Sequence, residues 1–378
     1  MGSRTLRTRQ ECEDFIRGLT FLGTGGGGDP KRGLDLLLAE LEAGREVGWV
    51  DMAELPDEAW TAIVAGLGGR PPKEGPSAEE MARIGLVEPR PENPLVVAVQ
   101  ELAAYAGVEL EAIMPGEIGA GNVPAPLAVA RQLGVLAIDG DYAGGRAIPE
   151  LGQTIPEVYG KPLFPMATVD RWGNICIVKE AVSTAMADRI GRMLAVAAFG
   201  GIAFAAYLMP AREAKEVMIQ GTLTQAYQVG RALREAVEKG LDPAEEVARF
   251  IGGWLLFRGE VTETEWEDKE PYMFGYGTHH LQGLGEDAGH TFRIWYKNEF
   301  HITWRDDQPF VTSPDSIAVI EEETGEPCTN YSMAEGQKVA VIGRKGAEAH
   351  RTERGLEVLG PRHFGFDIEY VPIEEQVA

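Results

Sequence analysis

The pattern of apolar residues changes along the 378-residue chain, and that change constrains the fold more than any single motif. Up to about residue 175, short apolar runs typical of strands alternate with runs of helical periodicity, which favours an α/β domain. Beyond about residue 256, strand-like runs follow one another between turn signals, which indicates a β-rich domain. The strand-like runs are 47–50, 61–67, 110–114 and 135–138, then 292–296, 300–304, 317–320, 339–342 and 368–371. The sequence therefore predicts an α/β N-terminal domain, with a mixed or parallel sheet and helices, and a β-rich, sandwich- or barrel-like C-terminal domain.

Two domains also suit the length, because 378 residues exceed what one small core usually organises. We predict an α/β domain over 1–175, a helical segment over 176–255 and the β-rich domain over 256–378. The most apolar run of the helical segment, 193–209, contains glycines and is short for a membrane span. We interpret it as a buried pair of helices or as the interface of a homo-oligomer.

Acidic residues dominate the charge: 59 Asp and Glu against 35 Lys and Arg give a net charge of -24. A nucleic-acid partner is not expected, because binding would have to overcome phosphate repulsion. The first residues lack the apolar core of a signal peptide, and the three cysteines show no paired spacing. We therefore expect a cytoplasmic protein that acts on a small molecule, with neither a nucleic-acid nor a membrane partner.

Charged residues are concentrated in 139–150, directly after a predicted strand. In open α/β sheets ligands bind where strands end, and glycine lets the backbone approach them closely. Asp139, Asp141 and Glu150 are therefore candidate catalytic acids or bases, or ligands that share a cation. Arg146 is the candidate that orients a substrate carboxylate or balances the buried charge. The alternative is a surface turn in which Asp139 caps backbone amides and Arg146 pairs with Glu150.

A second glycine-rich loop, 23–30, formally matches the Gly-x-Gly-x-x-Gly dinucleotide fingerprint. The fingerprint requires a preceding strand, whereas residues 9–22 have helical periodicity, so no nucleotide is expected. A helix over 31–43 follows, and its free N–H groups would favour an anion or a polar ligand. The predicted substrate-binding residues here are Gly25, Gly26, Gly27, Gly28 and Asp29. The alternative is a tight connection between two helices, in which Asp29 is the N-cap.

A third glycine-rich loop follows the predicted strand 110–114 and carries Glu117 and Asn122. Glu117 is a candidate acid, base or ligand anchor, and Asn122 is a candidate hydrogen-bond donor to a substrate carbonyl. The alternative is an ordinary strand-to-helix turn with Asn122 near the helix start. Three carboxylate-bearing, glycine-rich loops in one α/β domain favour the functional interpretation, in which the loops meet at one pocket.

Several stretches together resemble the S-methyl thiohydantoin desulfurase family, which is related by context to hydantoinase and oxoprolinase proteins. The resembling stretches are 21–30, Gly116-Glu117 with Asn122, 139–150, Asn298-Glu299, 314–317 and 360–367. They occur in order from near the N-terminus to near the C-terminus, so the resemblance covers almost the whole chain. The chain departs from the family pattern at Tyr142-Ala143, where a Gly-Met-like pair is usual, and at Ser316, where Leu is usual. The first departure lies beside the candidate site and bears on substrate identity.

The resemblance implies a hydrolase that acts on a five-membered cyclic thioimidate or amide. It also implies zinc but assigns no ligands, for which Asp139, Asp141 and Glu150 are the candidates. The expected reaction is attack of water on C2 of an S-methyl thiohydantoin, which releases methanethiol and leaves a hydantoin. The alternatives are a hydantoinase- or oxoprolinase-type subunit without desulfurising activity and a non-catalytic small-molecule-binding subunit.

Overall fold

The protein is described by a computed structural model that covers residues 3–68, 75–90, 92–267 and 275–377. Its helices are α1 Arg9–Leu22, α2 Pro30–Glu42, α3 Ala78–Arg83, α4 Pro94–Ala106, α5 Pro124–Leu133, α6 Ile155–Val158, α7 Thr184–Ala197, α8 Ala211–Val217, α9 Thr222–Glu238, α10 Pro243–Ile251, α11 Glu353–Leu359 and α12 Ile373–Gln376. Its strands are β1 Arg4–Leu6, β2 Val47–Trp49, β3 Trp60–Gly68, β4 Leu110–Met114, β5 Leu136–Ala137, β6 Gly140–Asp141, β7 Met166–Asp170, β8 Ile175–Val178, β9 Gly201–Pro210, β10 Ile219–Gln220, β11 Trp254–Glu267, β12 Tyr276–Gly283, β13 Thr291–Lys297, β14 Glu299–Arg305, β15 Gln308–Thr312, β16 Ser316–Glu321 and β17 Lys338–Arg344.

The N-terminal sheet has six strands in the order β5-β4-β3-β9-β7-β8. β3, β4 and β5 are parallel to one another, whereas β9 runs antiparallel to both β3 and β7. Helix α4 packs against β3, β7 and β9, and α7 also contacts these strands. This mixed sheet with helices confirms the predicted α/β N-terminal domain.

The C-terminal sheet has seven strands in the order β15-β14-β13-β12-β11-β17-β16, and every neighbouring pair is antiparallel. The predicted β-rich domain is therefore confirmed. The strand predicted over 368–371 is wrong, because this stretch has no regular secondary structure. Side chains hold it instead: the Tyr370 hydroxyl donates to the buried carboxylate of Asp315 at 3.0 Å.

The helical segment predicted over 176–255 is interrupted by the strands β9 and β10. Because β9 occupies 201–210, the interpretation of 193–209 as a helix pair is wrong. Helix α7 ends at Ala197, and β9 occupies Gly201–Pro210. β9 lies inside the sheet, between β3 and β7, and nearly all of its residues are buried. A strand covered on both faces shows no alternation of apolar and polar residues, so its sequence resembles that of a buried helix.

Helices α1 and α9 join the two sheets through a close contact at two glycines. A Cβ atom on Gly18 would lie 1.6 Å from the carbonyl oxygen of Ala226, and one on Gly230 would lie 1.7 Å from that of Asp14. One apolar core continues from the six-stranded sheet through these helices to β16 and β17. The two domains therefore share a core, and residues from both can contribute to one site. Within the described ranges, no helix has the length and apolar character that crossing a bilayer requires.

Candidate functional site

A cavity of about 390 Å³ lies where loops of the N-terminal domain meet the C-terminal sheet. Its volume is within the range of pockets that bind small molecules. One part of the wall is apolar and is built on β3 and β9, and the other part is polar and is built on loops. The lining residues are Gly28, Ile63, Ala65, Gly66, Leu67, Gly68, Gly116, Glu117, Asn122, Ile148, Pro149, Leu151, Thr154, Arg192, Phe204, Asn298 and Tyr331.

Glu117 is the acidic side chain of the cavity wall, in the loop after β4. One carboxylate oxygen accepts a hydrogen bond from the Asn122 side-chain amide at 2.5 Å, and the other accepts from the Ile148 N–H at 2.8 Å. Burial raises the pKa of Glu117 to about 7, although these two hydrogen bonds oppose the shift. A carboxyl group of this kind can exchange a proton near neutral pH.

Glu299, the first residue of β14, is a second carboxyl group beside the cavity. Its side chain is fully buried, and Oε1 accepts a hydrogen bond from the Asn298 amide at 2.6 Å. Among the described residues Oε2 has no hydrogen-bond partner. Burial and the nearby Glu117 raise the pKa of Glu299 well above its ordinary value. The two acids therefore hold protons more tightly than exposed carboxylates do, and each affects the titration of the other.

The glycine loop 23–30 lies close to Glu299 and to Asn122, the side chain that donates to Glu117. A Cβ atom on Gly26 would lie 2.0 Å from Oε1 of Glu299, and one on Gly28 would lie 2.8 Å from the side-chain oxygen of Asn122. The Gly121 N–H donates to the carbonyl of Gly27 at 2.9 Å, which ties the first and third glycine-rich loops together. The glycines thus allow loop 23–30 to approach both the C-terminal domain and the loop 116–122 closely.

The five predicted substrate-binding residues of this loop have different surroundings. Gly28 lines the cavity, whereas Gly25 lies against the ring of Phe300 and Gly27 against the backbone of Gly119. Asp29 is the N-cap of α2, with its side chain accepting from the Lys31 N–H at 2.9 Å. Helix α1 precedes the loop, as the periodicity predicts. Of the five, Gly28 alone is among the residues that line the described cavity.

The first two carboxylates of the 139–150 loop are held by backbone amides and do not line the cavity. Asp139 accepts from the N–H groups of Leu223 and Thr224, at 2.8 and 3.1 Å, and so holds the start of α9. Asp141 accepts from the N–H groups of Ala143 and Gly145, at 2.6 and 3.1 Å. Both carboxyls are buried, and burial raises the pKa of Asp141 to about 6. Asp139 therefore caps backbone amides, as the alternative interpretation of this loop predicts.

The other two charged residues of this loop connect the domains. Glu150 contacts Lys297 at 2.5 Å and His363 at 3.7 Å. Burial opposes its ionisation, but these two neighbours lower the pKa of Glu150 to about 2. Arg146 is buried and donates to backbone carbonyls of the C-terminal domain, including that of Phe300 at 3.2 Å. The predicted alternative of a surface Arg146–Glu150 pair is therefore wrong.

Comparison with known proteins assigns the chain to a family. Two family models match it: the N-terminal domain of S-Me-THD-like proteins over residues 10–180 and the C-terminal domain over residues 182–373. The chain belongs to the S-Me-THD-like family. This confirms the resemblance to S-methyl thiohydantoin desulfurases, and the boundary between the two family domains falls between α7 and β8.

A solved structure supports the fold of this S-Me-THD-like chain. The X-ray structure of a protein from Chromobacterium violaceum aligns with a TM-score of 0.76 and 23% sequence identity. The alignment covers 98% of this chain and 100% of that one. At this identity the likeness concerns the fold alone. The comparison with curated proteins finds no significant match.

The zinc implied by the family resemblance can be tested against the donor groups of this S-Me-THD-like chain. The oxygens of Asp139 and Asp141 accept hydrogen bonds from backbone amides, and Glu150 is paired with Lys297 and His363. Among the described residues, no group of three or more His, Cys, Asp or Glu is arranged to hold a metal ion. The three candidate carboxylates therefore do not fit a shared zinc ion.

Several residues of the cavity wall were not identified as site residues from the local sequence pattern. Arg192 on α7 reaches the wall, where it donates to the Pro149 carbonyl at 2.9 Å and contacts Asp188 at 3.1 Å. Asn298 lies between β13 and β14 with a φ of 62°, and Tyr331 is an exposed residue on the rim. The Asn298-Glu299 pair is one of the stretches that resemble the family, and this resemblance is the sequence signal that could have identified the pair as part of the site. Nothing in the local pattern around Arg192 or Tyr331 distinguishes them from surface residues.

Proposed function

We propose that this S-Me-THD-like chain is a hydrolase that converts an S-methyl thiohydantoin to the hydantoin and methanethiol. The observation that carries the proposal is the Glu117 carboxyl group on the cavity wall, with a pKa of about 7 and Glu299 close by. Such a group can take up a proton and return it at neutral pH, which is what hydrolysis of a thioimidate requires. Family membership supports the substrate class.

In the proposed reaction, Glu117 accepts a proton from water as the water oxygen attacks C2 of the ring. The C2–N double bond opens, its electron pair moves to the ring nitrogen, and a tetrahedral centre bearing OH and SCH₃ forms. The C2–S bond then breaks, the carbonyl forms, and the sulfur departs as methanethiol with a proton. Glu117 returns the proton it accepted to the ring nitrogen, the hydroxyl proton leaves with sulfur, and the water oxygen becomes the carbonyl oxygen.

Neighbouring side chains support Glu117 in this scheme. Asn122 donates to its carboxylate and so orients it, and the amide of Asn298 is held by Glu299 at 2.6 Å. Both amides are on the cavity wall, where they can hydrogen-bond to ring nitrogens or the carbonyl. Arg192 adds positive charge beside the negative charge that develops on the ring. Glu299 is a positioning residue, because it acts through Asn298.

The test is incubation of the purified protein with S-methyl thiohydantoin and, separately, with hydantoin. We expect a thiol reagent to detect methanethiol, and chromatography to detect intact hydantoin as the product. Ring-opened product from hydantoin without thiol release would instead identify a hydantoinase- or oxoprolinase-type activity. Tight binding of the ring compounds without any turnover would identify a binding subunit. Repeating the assay with added zinc and with a chelator tests the metal that the resemblance implies.

We also propose that the protein works as a homo-oligomer in the cytoplasm. Since β9 is inside the sheet, the surface that supports this proposal is the outer face of α7 and the residues before it. Val182, Met186 and Met193 there are 95%, 41% and 45% exposed. Exposed apolar side chains that lie together favour association. Sedimentation of the full chain tests this proposal, and a monomer at micromolar concentration would contradict it.

A further inference from the structure

A second cavity, of about 280 Å³, lies at the junction of the two domains. The N-terminal domain contributes Gly144 and Gly145 of the loop 139–150. The C-terminal domain contributes β10, the helices α9 and α10 and the segment that follows β17. Among the described residues, none lines both this cavity and the one that contains Glu117. The second cavity is therefore a separate space in which a small molecule could bind.

The wall of the second cavity carries positive charge. Arg344 and Lys345 line it, and none of the described residues that line it is acidic. The chain as a whole has the opposite balance, with 59 Asp and Glu against 35 Lys and Arg. A concave wall that carries cations and lacks carboxylates raises the local concentration of small anions.

Arg344, at the end of β17, has neutral hydrogen-bond acceptors. Its guanidinium donates to the Gln225 side-chain oxygen at 3.1 Å and to the Gly145 carbonyl at 2.9 Å. Asp141 is a nearby carboxylate, but its oxygens accept from backbone amides of its own loop, and no described carboxylate forms an ion pair with Arg344. Burial lowers the pKa of Arg344. An anion in direct contact with the guanidinium would offset this cost of burial.

The wall around Arg344 favours one class of anion. The planar fork of N–H groups on a guanidinium matches the two oxygens of a carboxylate. Beside it, Ile219 and Ile251 are partly buried and supply apolar surface. Lys345 is exposed and pairs with Glu374 at 3.0 Å, so much of its charge is already matched. One negative charge on a short apolar body fits this wall better than the double charge of phosphate.

We infer that the second cavity binds a small monocarboxylate, of about the size of propionate. The carboxylate accepts hydrogen bonds from Arg344, and the apolar body of the ligand lies against Ile219 and Ile251. Because Gly145 and Arg344 belong to different domains, the bound ligand strengthens the domain junction. This site goes beyond the reaction proposed at Glu117 and does not depend on it.

The test is calorimetric titration of the full chain with sodium propionate, with sodium chloride at the same ionic strength as the reference. We expect a Kd of about 1 mM or lower for propionate. Formate has the carboxylate without the apolar body and should bind about tenfold more weakly. Absence of propionate binding up to about 20 mM, or tighter binding of inorganic phosphate than of propionate, would overturn the inference.

Arg344→Gln removes the cation and should weaken propionate binding by about 10- to 100-fold. The control is Arg249→Gln, which removes the same charge from α10 outside the cavity. Arg249 is exposed and pairs with Glu246 at 2.6 Å, so this variant should bind propionate within about twofold of the wild type. Unchanged binding in Arg344→Gln would place propionate at another site and would contradict the inference.

Gln225→Glu tests the site while Arg344 remains in place. The new carboxylate replaces the amide that accepts from the guanidinium, so it should compete with propionate and weaken its binding by about tenfold. Gln220→Glu adds the same charge at an exposed position of β10 and should have a much smaller effect. Thermal unfolding with and without propionate shows that each variant is folded and reports binding as a rise in Tm. A wild-type affinity for propionate in Gln225→Glu would mean that Arg344 is not its partner.

Discussion

The loops 116–122 and 139–150 look alike in sequence but differ in what surrounds their carboxylates. Each follows a short strand, is rich in glycine and carries at least one acidic residue. In 139–150, Asp139 and Asp141 are held by backbone amides away from the cavity. In 116–122, Glu117 lines the cavity and has a pKa raised to about 7. An acidic side chain therefore serves the fold in one loop and is available for chemistry in the other.

The difference lies in geometry more than in burial, because burial raises the pKa of Asp141 as well, to about 6. The short side chain of aspartate reaches the amides of its own turn, or a nearby helix start, and is immobilised there. Glu117 is one carbon longer, and its carboxylate is fixed by Asn122 and Ile148 while remaining on the cavity wall. A raised carboxyl pKa marks a candidate acid or base when the group can also reach a ligand.

The largest expected effect is on catalysis. Glu117→Gln removes the group that exchanges a proton with water but keeps the size of the side chain, so thiol release should fall by about 10²- to 10⁴-fold. Glu150→Gln should keep most of the activity, since Glu150 is paired with Lys297 away from the cavity wall. The measurement is kcat/KM for methanethiol release. Similar losses in both variants would remove the contrast between the two loops.

The second effect is on stability. Asp139→Ala leaves the N–H groups of Leu223 and Thr224 at the start of α9 without their acceptor. We expect a loss of about 2 to 4 kcal/mol in the free energy of unfolding, measured by urea denaturation. Asp139→Asn retains a carbonyl acceptor and should lose less. A stability within experimental error of the wild type for Asp139→Ala would show that the carboxylate is not a structural cap.

The third effect is a dependence of stability on pH. The pKa of Glu117 is about 7 in the folded protein, against an ordinary value of 4.5. The unfolded chain therefore loses this proton first, and stability falls as pH rises from about 4.5 through 7. Glu117→Gln removes this dependence, so the variant should gain about 1 to 3 kcal/mol relative to wild type between pH 5 and 8. Urea denaturation of the variant and the wild type at pH 5 and at pH 8 measures this difference in the free energy of unfolding. The same difference at both pH values would argue against the raised pKa of Glu117.

The smallest effect concerns the domain contact at Glu150. Its pKa of about 2 lies below the ordinary 4.5, so ionised Glu150 stabilises the fold above about pH 4.5, and this contribution is lost as pH falls towards 2. Glu150→Gln should cost about 0.5 to 1.5 kcal/mol at pH 7 and less at pH 3. Urea midpoints at the two pH values provide the test. An equal cost at both would mean that packing, and not charge, accounts for the contact.

Much of the fold follows from local sequence. Thr8 with Glu11, and Asp29 with Pro30, place the starts of α1 and α2 by ordinary capping. The glycine loops between the elements could likewise be recognised, and the structure joins 23–30 and 116–122 by a backbone hydrogen bond. β9 could not be recognised, because a strand buried on both faces has the apolar pattern of a buried helix.

The site was harder to predict, because its geometry depends on segments far apart in the chain. The amides that hold Asp139 belong to α9, 84 and 85 residues further along. Glu299 becomes relevant only because the hairpin between β13 and β14 folds back onto the glycine loop. Local sequence identifies which residues are chemically capable, but long-range packing decides which of them reach the cavity.

The burial of Arg146 at the domain junction limits how far the two domains can evolve separately. It belongs to the N-terminal domain, and its guanidinium is bound by carbonyls of the C-terminal domain. The wall of the cavity likewise combines Glu117 from one domain with Asn298 from the other. Neither domain carries the whole site, so exchange of one half with a distant relative would disrupt the cavity even if both halves folded. The two domains are therefore expected to evolve together. A substitution on one side of their junction should persist only with a compensating substitution on the other side.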